Sequence, residues 1–385
     1  MRNRHFLLTL IIIFYSNLGF SQDTLLARKI VDTLSSSVFW GRGYTNNGVR
    51  QAANYIASSF KTFKLKPLTT NGYFQKFNLP VNTFPAAMQV SINGIALTPG
   101  EAFIVAPESR SSTISGKLTQ TDTATWVNAQ HRIIVNVKDK LTWSVSTEVA
   151  NYTMIDVDRK AVSGKLNHIK VDIDNKFIPA FETENVAAMV QGTAVPDSFI
   201  YITAHYDHLG GMGKHTYFPG ANDNASGIAL LLNLARYYAL HPPRYSMVFI
   251  AFSAEEAGLL GSKYYTENPL SPLQKIKFLI NTDLAGTGSE GITVVNATEF
   301  PNQFALMNQI NDKEKLLVKI NARGKAANSD HYFFTEKGVP AFFFYTLGGI
   351  KAYHDVFDKS VTLPLTSHSQ LFHLLIKFNE ALMVN

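Results

Sequence analysis

Histidine and carboxylate side chains form five groups in the second half of this 385-residue chain, and their types suit metal binding. The chain has no cysteine, which excludes thiolate ligands and a cysteine nucleophile. Imidazole nitrogen and carboxylate oxygen both bind zinc, so sulfur is not required. The groups are His205-Tyr206-Asp207-His208, Asn222-Asp223-Asn224, Glu255-Glu256, Asp283, and His354 with Asp358.

The adjacent glutamates, Glu255 and Glu256, suit a division of labour. Neighbouring side chains point in different directions, so one carboxylate can bind metal while the other takes a proton from water and passes it to a leaving amine. A carboxylate that bridges two metals about 3.5–4 Å apart offsets their repulsion, and such a pair activates water near neutral pH. Asp207, two residues after His205, can accept the other ring N–H of that histidine.

Apolar strands have to position these groups. Strands are predicted at 199–204, 246–252, 278–280 and 340–345, alternating with helices at 226–239, 256–265 and 371–382. This alternation predicts an α/β fold, with a mainly parallel mixed sheet sandwiched by helices. Sites in such sheets form at the carboxyl ends of the strands, so we expect the five groups to converge on one crevice.

Each group alone has an ordinary structural interpretation. A lone histidine is more often structural than a ligand, and adjacent glutamates usually form a solvated helix face. His208, His215 and His331 are interpreted as structural, and His241, beside two prolines, as a surface residue. The prediction of a site therefore depends on the coincidence of five groups in one region.

The rest of the chain divides into three parts before the catalytic domain at 183–385. Residues 1–21 have a basic start and a short apolar run, which is typical of a signal peptide and predicts an exported, periplasmic or secreted protein. Residues 22–80 are predicted as a helical segment that packs on the catalytic domain. Residues 81–182, with β-type runs and polar stretches, are predicted as a small β-rich insert.

Charge and hydropathy exclude other classes of function. The net charge is +6, and the basic residues are scattered, so no nucleic-acid partner is expected. No later stretch is long and apolar enough for a membrane span, so no stable membrane insertion is expected after signal cleavage. The pattern leaves the oligomeric state open.

The motifs resemble those of the co-catalytic zinc peptidases that include bacterial leucyl aminopeptidase and glutamate carboxypeptidase. The matching stretches are 203–208, 220–227, 253–262, 281–283, 329–331 and 353–354 with Asp358, together with 39–43 near the start. The resemblance implies an aminopeptidase that acts on peptides and holds two Zn²⁺ ions. Asp223 would bridge both ions, with His205 and Asp283 completing one site and Glu256 and His354 the other. Glu255 would be the general base, Asp207 would orient His205, and the peptide bond after Asp223 would be cis.

Two positions depart from the family's pattern. Asn224 stands where the family often has aspartate, and Ala326 stands where some aminopeptidases have the tyrosine that stabilises the oxyanion. His331 and Tyr345 are the alternative oxyanion donors. The insert falls where some members carry a protease-associated domain.

Three alternatives to an aminopeptidase remain on the same fold. A carboxypeptidase or dipeptidase would need a cation for the substrate carboxylate, such as Arg323 or Lys325. A glutaminyl cyclase would hold one zinc, and retention of both His205 and Asp283 argues against it. A non-enzymatic, receptor-like relative would have lost ligands that this chain keeps.

Overall fold

The computed structural model describes residues 24–70 and 72–384, so the predicted signal peptide lies outside the described residues. The α-helices are α1 (24–34), α2 (Gly48–Thr62), α3 (Gly227–Leu240), α4 (Leu260–Glu267), α5 (Pro301–Glu314), α6 (His331–Glu336) and α7 (His368–Leu382). The strands are β1 (Lys66–Pro67), β2 (Phe74–Thr83), β3 (Met88–Ile92), β4 (Ile95–Leu97), β5 (Phe103–Val105), β6 (Ser112–Lys117), β7 (Thr119–Gln120), β8 (Thr125–Asn128), β9 (Ile133–Lys138), β10 (Thr153–Asp158), β11 (His168–Ile173), β12 (Lys176–Val190), β13 (Val195–His205), β14 (Gly211–Met212), β15 (Thr216–Tyr217), β16 (Tyr245–Phe252), β17 (Ile276–Thr282), β18 (Ile292–Val295), β19 (Ile320–Ala322) and β20 (Ala341–Thr346).

The main sheet has the strand order β1-β12-β16-β13-β17-β20-β18-β19, and β2 also pairs with β12. Its four central strands, β16, β13, β17 and β20, are parallel, whereas β12 and β18 join them antiparallel. Apolar side chains of α2, α3 and α7 cover one face, and Tyr265 of α4 and Phe334 of α6 cover the other. This confirms the predicted α/β fold with a mainly parallel mixed sheet between helices.

The residues between β2 and β12 form two smaller sheets. Their strand orders are β4-β3-β11-β6 and β5-β10-β9-β8-β7, and they share a hydrophobic core that includes Trp126, Val135 and Ile169. The predicted insert boundaries, 81 and 182, both fall inside strands, because β2 and β12 continue from the main sheet as a paired stem. The segment 22–80 is also less helical than predicted, since it contains most of β2.

The helix predicted at 256–265 begins later, at Leu260, so Glu255 and Glu256 lie in a turn. The backbone explains the difference: Ala254, Gly258 and Leu259 have φ angles of 59°, 104° and 61°. A right-handed helix cannot pass through left-handed residues. The apolar periodicity of the sequence does not reveal this interruption.

The candidate site residues follow the carboxyl ends of the central strands. His205 ends β13, Asp283 directly follows β17, and the turn with Glu255 follows β16. None of the helices within residues 24–70 and 72–384 combines the length and the hydrophobicity that a membrane span needs.

Candidate metal centre

Two histidine–carboxylate pairs face the two oxygens of Asp223. His205 Nε2 lies 3.4 Å from Asp223 Oδ1 and 3.3 Å from Asp283 Oδ2. His354 Nε2 lies 3.0 Å from Asp223 Oδ2 and 3.3 Å from Glu256 Oε2. The structure therefore brings all five predicted ligands together, with Asp223 between the two pairs.

The donor set fits zinc. Asp223 Oδ1 and Asp283 Oδ1 are buried and have no hydrogen-bond donor among the described residues, which is a costly state for a carboxylate without a cation. Donor atoms of His205, Asp223 and Asp283 lie within 4.8 Å of one another, as do those of His205, Glu255 and Glu256. Nitrogen and oxygen donors at this spacing suit Zn²⁺ ions held by imidazole and carboxylate.

Charge balance points the same way. Burial lowers the pKa of His354, but the carboxylates of Glu256 and Asp223 outweigh burial and raise that pKa to about 11. Burial likewise opposes the charged form of His205, yet Asp283, Glu255 and Asp223 hold its pKa well above the usual value. The cluster thus carries an excess of negative charge, and bound cations would neutralise it.

His208 belongs to the same cluster, although its sequence context indicated a structural residue. Its ring is fully buried, and Nδ1 lies 2.8 Å from Glu256 Oε1. Donor atoms of His208, Asp223 and Glu256 also lie within 4.8 Å of one another. The spacing of three residues after His205, in the same strand-end segment, is the one signal that could have identified it.

Asp207 has more partners than the sequence predicts. His205 Nδ1 lies closer to the main-chain oxygen of Asp207, at 3.2 Å, than to Oδ1, at 3.8 Å. The carboxylate accepts hydrogen bonds from the backbone N–H groups of Glu255 (3.1 Å) and Glu256 (3.3 Å), and from the Tyr44 hydroxyl (3.1 Å). Asp207 therefore holds the glutamate turn in place as well as contacting His205.

The loop that carries Asp223 is held by Asp358. The Asp358 carboxylate accepts hydrogen bonds from the backbone N–H groups of Asn222 (2.9 and 3.0 Å) and Asp223 (3.0 Å). Asn224 donates to the Thr282 carbonyl at 3.0 Å, so this departure from the family pattern has a structural contact of its own. The peptide bond between Asp223 and Asn224 is cis, as the resemblance implied.

Arg42 ties the N-terminal segment to both ligand-bearing loops. Its guanidinium is fully buried and donates to five main-chain carbonyls at 2.8–3.0 Å, those of Leu34, Tyr206, Pro219, Gly220 and Asp223. Burial lowers its pKa to about 10, with Asp223 as the largest opposing influence, so it stays charged at neutral pH. Gly41 permits the approach, because a Cβ there would lie 2.4 Å from the carbonyl oxygens of Gly210 and Phe218.

Replacing Arg42 by lysine is expected to destabilise the fold by about 3–5 kcal/mol, because a buried guanidinium with five acceptors is replaced by an ammonium with three donors. Urea unfolding of the purified proteins measures this loss. Arg244→Lys is the matched control, since Arg244 is exposed. An Arg42→Lys protein as stable as the Arg244→Lys protein would contradict the structural role.

The five candidate ligands and Glu255 line a cavity of about 260 Å³, whose walls also include Leu284, Arg323, Asn328, Phe343, Tyr345 and Tyr353. Of the two predicted oxyanion donors, Tyr345 lines this cavity, whereas His331 is buried with its ring 5.3 Å from that of Phe343. His241 is exposed, as predicted, and stacks on Tyr237.

Comparisons with known proteins agree with this geometry. The family model described as "Peptidase family M28" matches residues 185–378. Aminopeptidase YwaD of Bacillus subtilis is 33% identical over 147 residues, which cover 37% of this chain and 31% of that protein. A protein of Pyricularia oryzae described as a probable zinc metalloprotease is 37% identical over 111 residues, covering 28% of this chain and 22% of its own. The chain thus matches less than a third of the length of these relatives.

Solved structures show the same fold over nearly the whole chain. A zinc aminopeptidase from Bacillus subtilis, BSAP, has a TM-score of 0.69 at 19% identity, covering 92% of this chain and 94% of its own. A Peptidase M28 precursor from Shewanella amazonensis has a TM-score of 0.68 at 15% identity, covering 95% and 97%. With a family match over half its length and the ligand motifs in one cluster, the chain belongs to peptidase family M28.

Proposed function

We propose that this protein is a two-zinc aminopeptidase that releases N-terminal residues from peptides. The observation that carries the proposal is the position of Asp223, whose two oxygens face separate histidine–carboxylate pairs. A carboxylate placed in this way can bridge two ions. His205 and Asp283 would hold one ion with it, and Glu256 and His354 the other. The relatives described as aminopeptidases support the choice of substrate class.

Glu255 is the proposed general base. Its carboxylate lies within 4.8 Å of donor atoms of His205 and Glu256, but it is not needed to complete either pair. It can therefore accept a proton from the attacking water and deliver it to the leaving amine. Zinc ions, when bound, would polarise the scissile carbonyl and lower the pKa of water.

Tyr345 is the proposed donor to the oxyanion. Its hydroxyl accepts a hydrogen bond of 3.2 Å from Arg323 Nη1, so its own proton is available to an oxygen in the cavity. The hydrogen bond from the guanidinium polarises the hydroxyl and strengthens the hydrogen bond that the hydroxyl can donate. This role replaces the tyrosine that is absent at Ala326.

Zinc quantification together with a peptide panel tests the function. We expect two zinc ions per chain, cleavage of peptides with a free amino terminus, and no cleavage of their N-acetylated forms. One zinc per chain with release of pyroglutamate from N-terminal glutamine would favour the cyclase. Metal-free protein that hydrolyses no peptide would favour the receptor-like alternative.

The place of action is also proposed from sequence. The basic and apolar pattern of residues 1–21 supports export to the periplasm or the medium. The division into an insert and a catalytic domain is also a proposal, with the paired strands β2 and β12, which contain residues 81 and 183, as the connection between the two.

A further inference from the structure

Arg323 is the one Lys or Arg side chain among the described residues that lines the candidate active-site cavity. Four carboxylates line the same cavity, those of Asp223, Glu255, Glu256 and Asp283. None of these, and no other carboxylate of residues 24–70 and 72–384, lies within ion-pair distance of the Arg323 guanidinium. The Arg323 guanidinium therefore does not form an ion pair with the carboxylates of the candidate metal site.

The backbone holds Arg323 firmly even though its side chain is exposed. Its N–H donates to the Val294 carbonyl at 2.9 Å, and its carbonyl accepts from the Ala297 N–H at 3.0 Å. The guanidinium in turn donates through Nη1 to the Tyr345 hydroxyl at 3.2 Å. One N–H is thus used for positioning, and the remaining donors of the planar group are available to a ligand.

The other cationic side chains of the described cavity wall, His205 and His354, face the carboxylates of Asp283 and Glu256. Leu284, Phe343 and Tyr353 are apolar or aromatic, and Asn328 is neutral. A guanidinium with free donors favours a planar anion such as a carboxylate, which it can bind through two N–H groups. Lys325, the other cation considered from sequence, is an ion-pair partner of Glu336 and does not line the cavity.

We propose that Arg323 binds a carboxylate of the substrate and that the pocket thereby selects peptides that place a carboxylate beside it. This inference rests on the proposed peptidase function. Two parts of a peptide can supply the carboxylate: the side chain of an N-terminal glutamate or aspartate, or the free C-terminus of a dipeptide.

Two isosteric substrate pairs separate these sources. The first pair is the α-anilides of glutamate and glutamine, which differ only in a side-chain carboxylate or amide. The second pair is Leu-Gly and Leu-Gly-amide, which differ only at the C-terminus. We expect wild-type kcat/KM to favour the carboxylate member of one pair, and Arg323→Gln to reduce that preference about 10- to 100-fold, the loss of one charge-assisted bidentate contact. The matched control, Lys325→Gln, should leave both preferences unchanged.

The ratio within a pair is the decisive quantity. If Arg323 acted only by positioning Tyr345, Arg323→Gln would slow both members of a pair equally, and the inference would be overturned. Equal wild-type rates within both pairs, or a preference for the amides, would overturn it as well.

A binding measurement distinguishes failure of the carboxylate site from failure of the proposed peptidase function. Calorimetric titration of the zinc-loaded Glu255→Gln protein with the same four compounds should show tighter binding of the preferred carboxylate member, and the double variant with Arg323→Gln should lose that difference. If wild type hydrolyses none of the compounds but this difference is present, the peptidase proposal fails and the carboxylate site stands. If wild type hydrolyses the compounds but the carboxylate and amide members bind equally well, the peptidase proposal stands and the carboxylate site fails.

Discussion

Replacing Glu255 by glutamine is expected to lower kcat for peptide hydrolysis by about 10²- to 10⁴-fold, the usual contribution of a positioned general base. Glutamine has nearly the same shape as glutamate but cannot accept the proton of the attacking water. Because His205, Asp223, Glu256, Asp283 and His354 are unchanged, the variant should keep its zinc. Steady-state kinetics and metal analysis on the same preparation measure both quantities.

The matched control for this variant is Glu267→Gln. Glu267 is exposed at the end of α4, the helix that follows the Glu255 turn, so its loss should leave kcat unchanged. A Glu255→Gln protein that holds full zinc and retains wild-type kcat would refute the assignment of the base. A protein that loses zinc would instead show that Glu255 is a ligand.

Replacing Asp223 by asparagine is expected to remove zinc and to reduce hydrolysis by at least about 10³-fold, since metal ions contribute several kcal/mol to transition-state stabilisation. Its two carboxylate oxygens serve both histidine–carboxylate pairs, at 3.0 and 3.4 Å from the histidine nitrogens. Asparagine keeps one carbonyl oxygen and lacks the charge that offsets two dications. Both zinc ions should therefore be affected, whereas loss of a terminal ligand would weaken one site.

Zinc content and zinc-dependent thermal stability measure the loss of zinc binding in Asp223→Asn. Wild type should unfold at higher temperature when zinc is added, because an ion that binds only the native state stabilises it, and Asp223→Asn should lose this shift. Asp197→Asn is the control: Asp197 is exposed on β13, the strand that ends with His205. Two zinc ions per chain in Asp223→Asn would contradict the bridging role.

Polar residues that directly follow apolar strands can be recognised from local sequence, and they predict which side chains meet at one edge of the sheet. His205 and Asp283 follow apolar strands directly, and parallel strands carry such residues to one edge of a sheet. That rule predicts that the two side chains share one edge of the sheet, and the structure places His205 Nε2 3.3 Å from Asp283 Oδ2. Local sequence favours a structural role for His208 because it does not show that Glu256, 48 residues later, meets the imidazole ring.

The turn at Glu255 and the insert boundaries show what apolar periodicity cannot predict. Apolar periodicity predicted a helix from Glu256, but left-handed residues at Ala254 and Leu259 delay it to Leu260. The sequence predicts that the insert begins at 81, yet β2 continues the main sheet to Thr83, where it pairs with Lys176 of β12. Periodicity reports burial of a segment, and it does not report the partner that buries it.

The sequence by itself determined the donor chemistry and the fold class. Without cysteine, a transition-metal site has to use imidazole and carboxylate, and apolar strands that alternate with helices have to form a covered, mainly parallel sheet. Only the tertiary structure decided how the donors are held. Arg42, Asp207 and Asp358 bind main-chain groups of distant loops, and Arg323 lies in the cavity wall beside Tyr345. Those contacts join residues far apart in the chain, and their geometry arises from packing that no local pattern encodes.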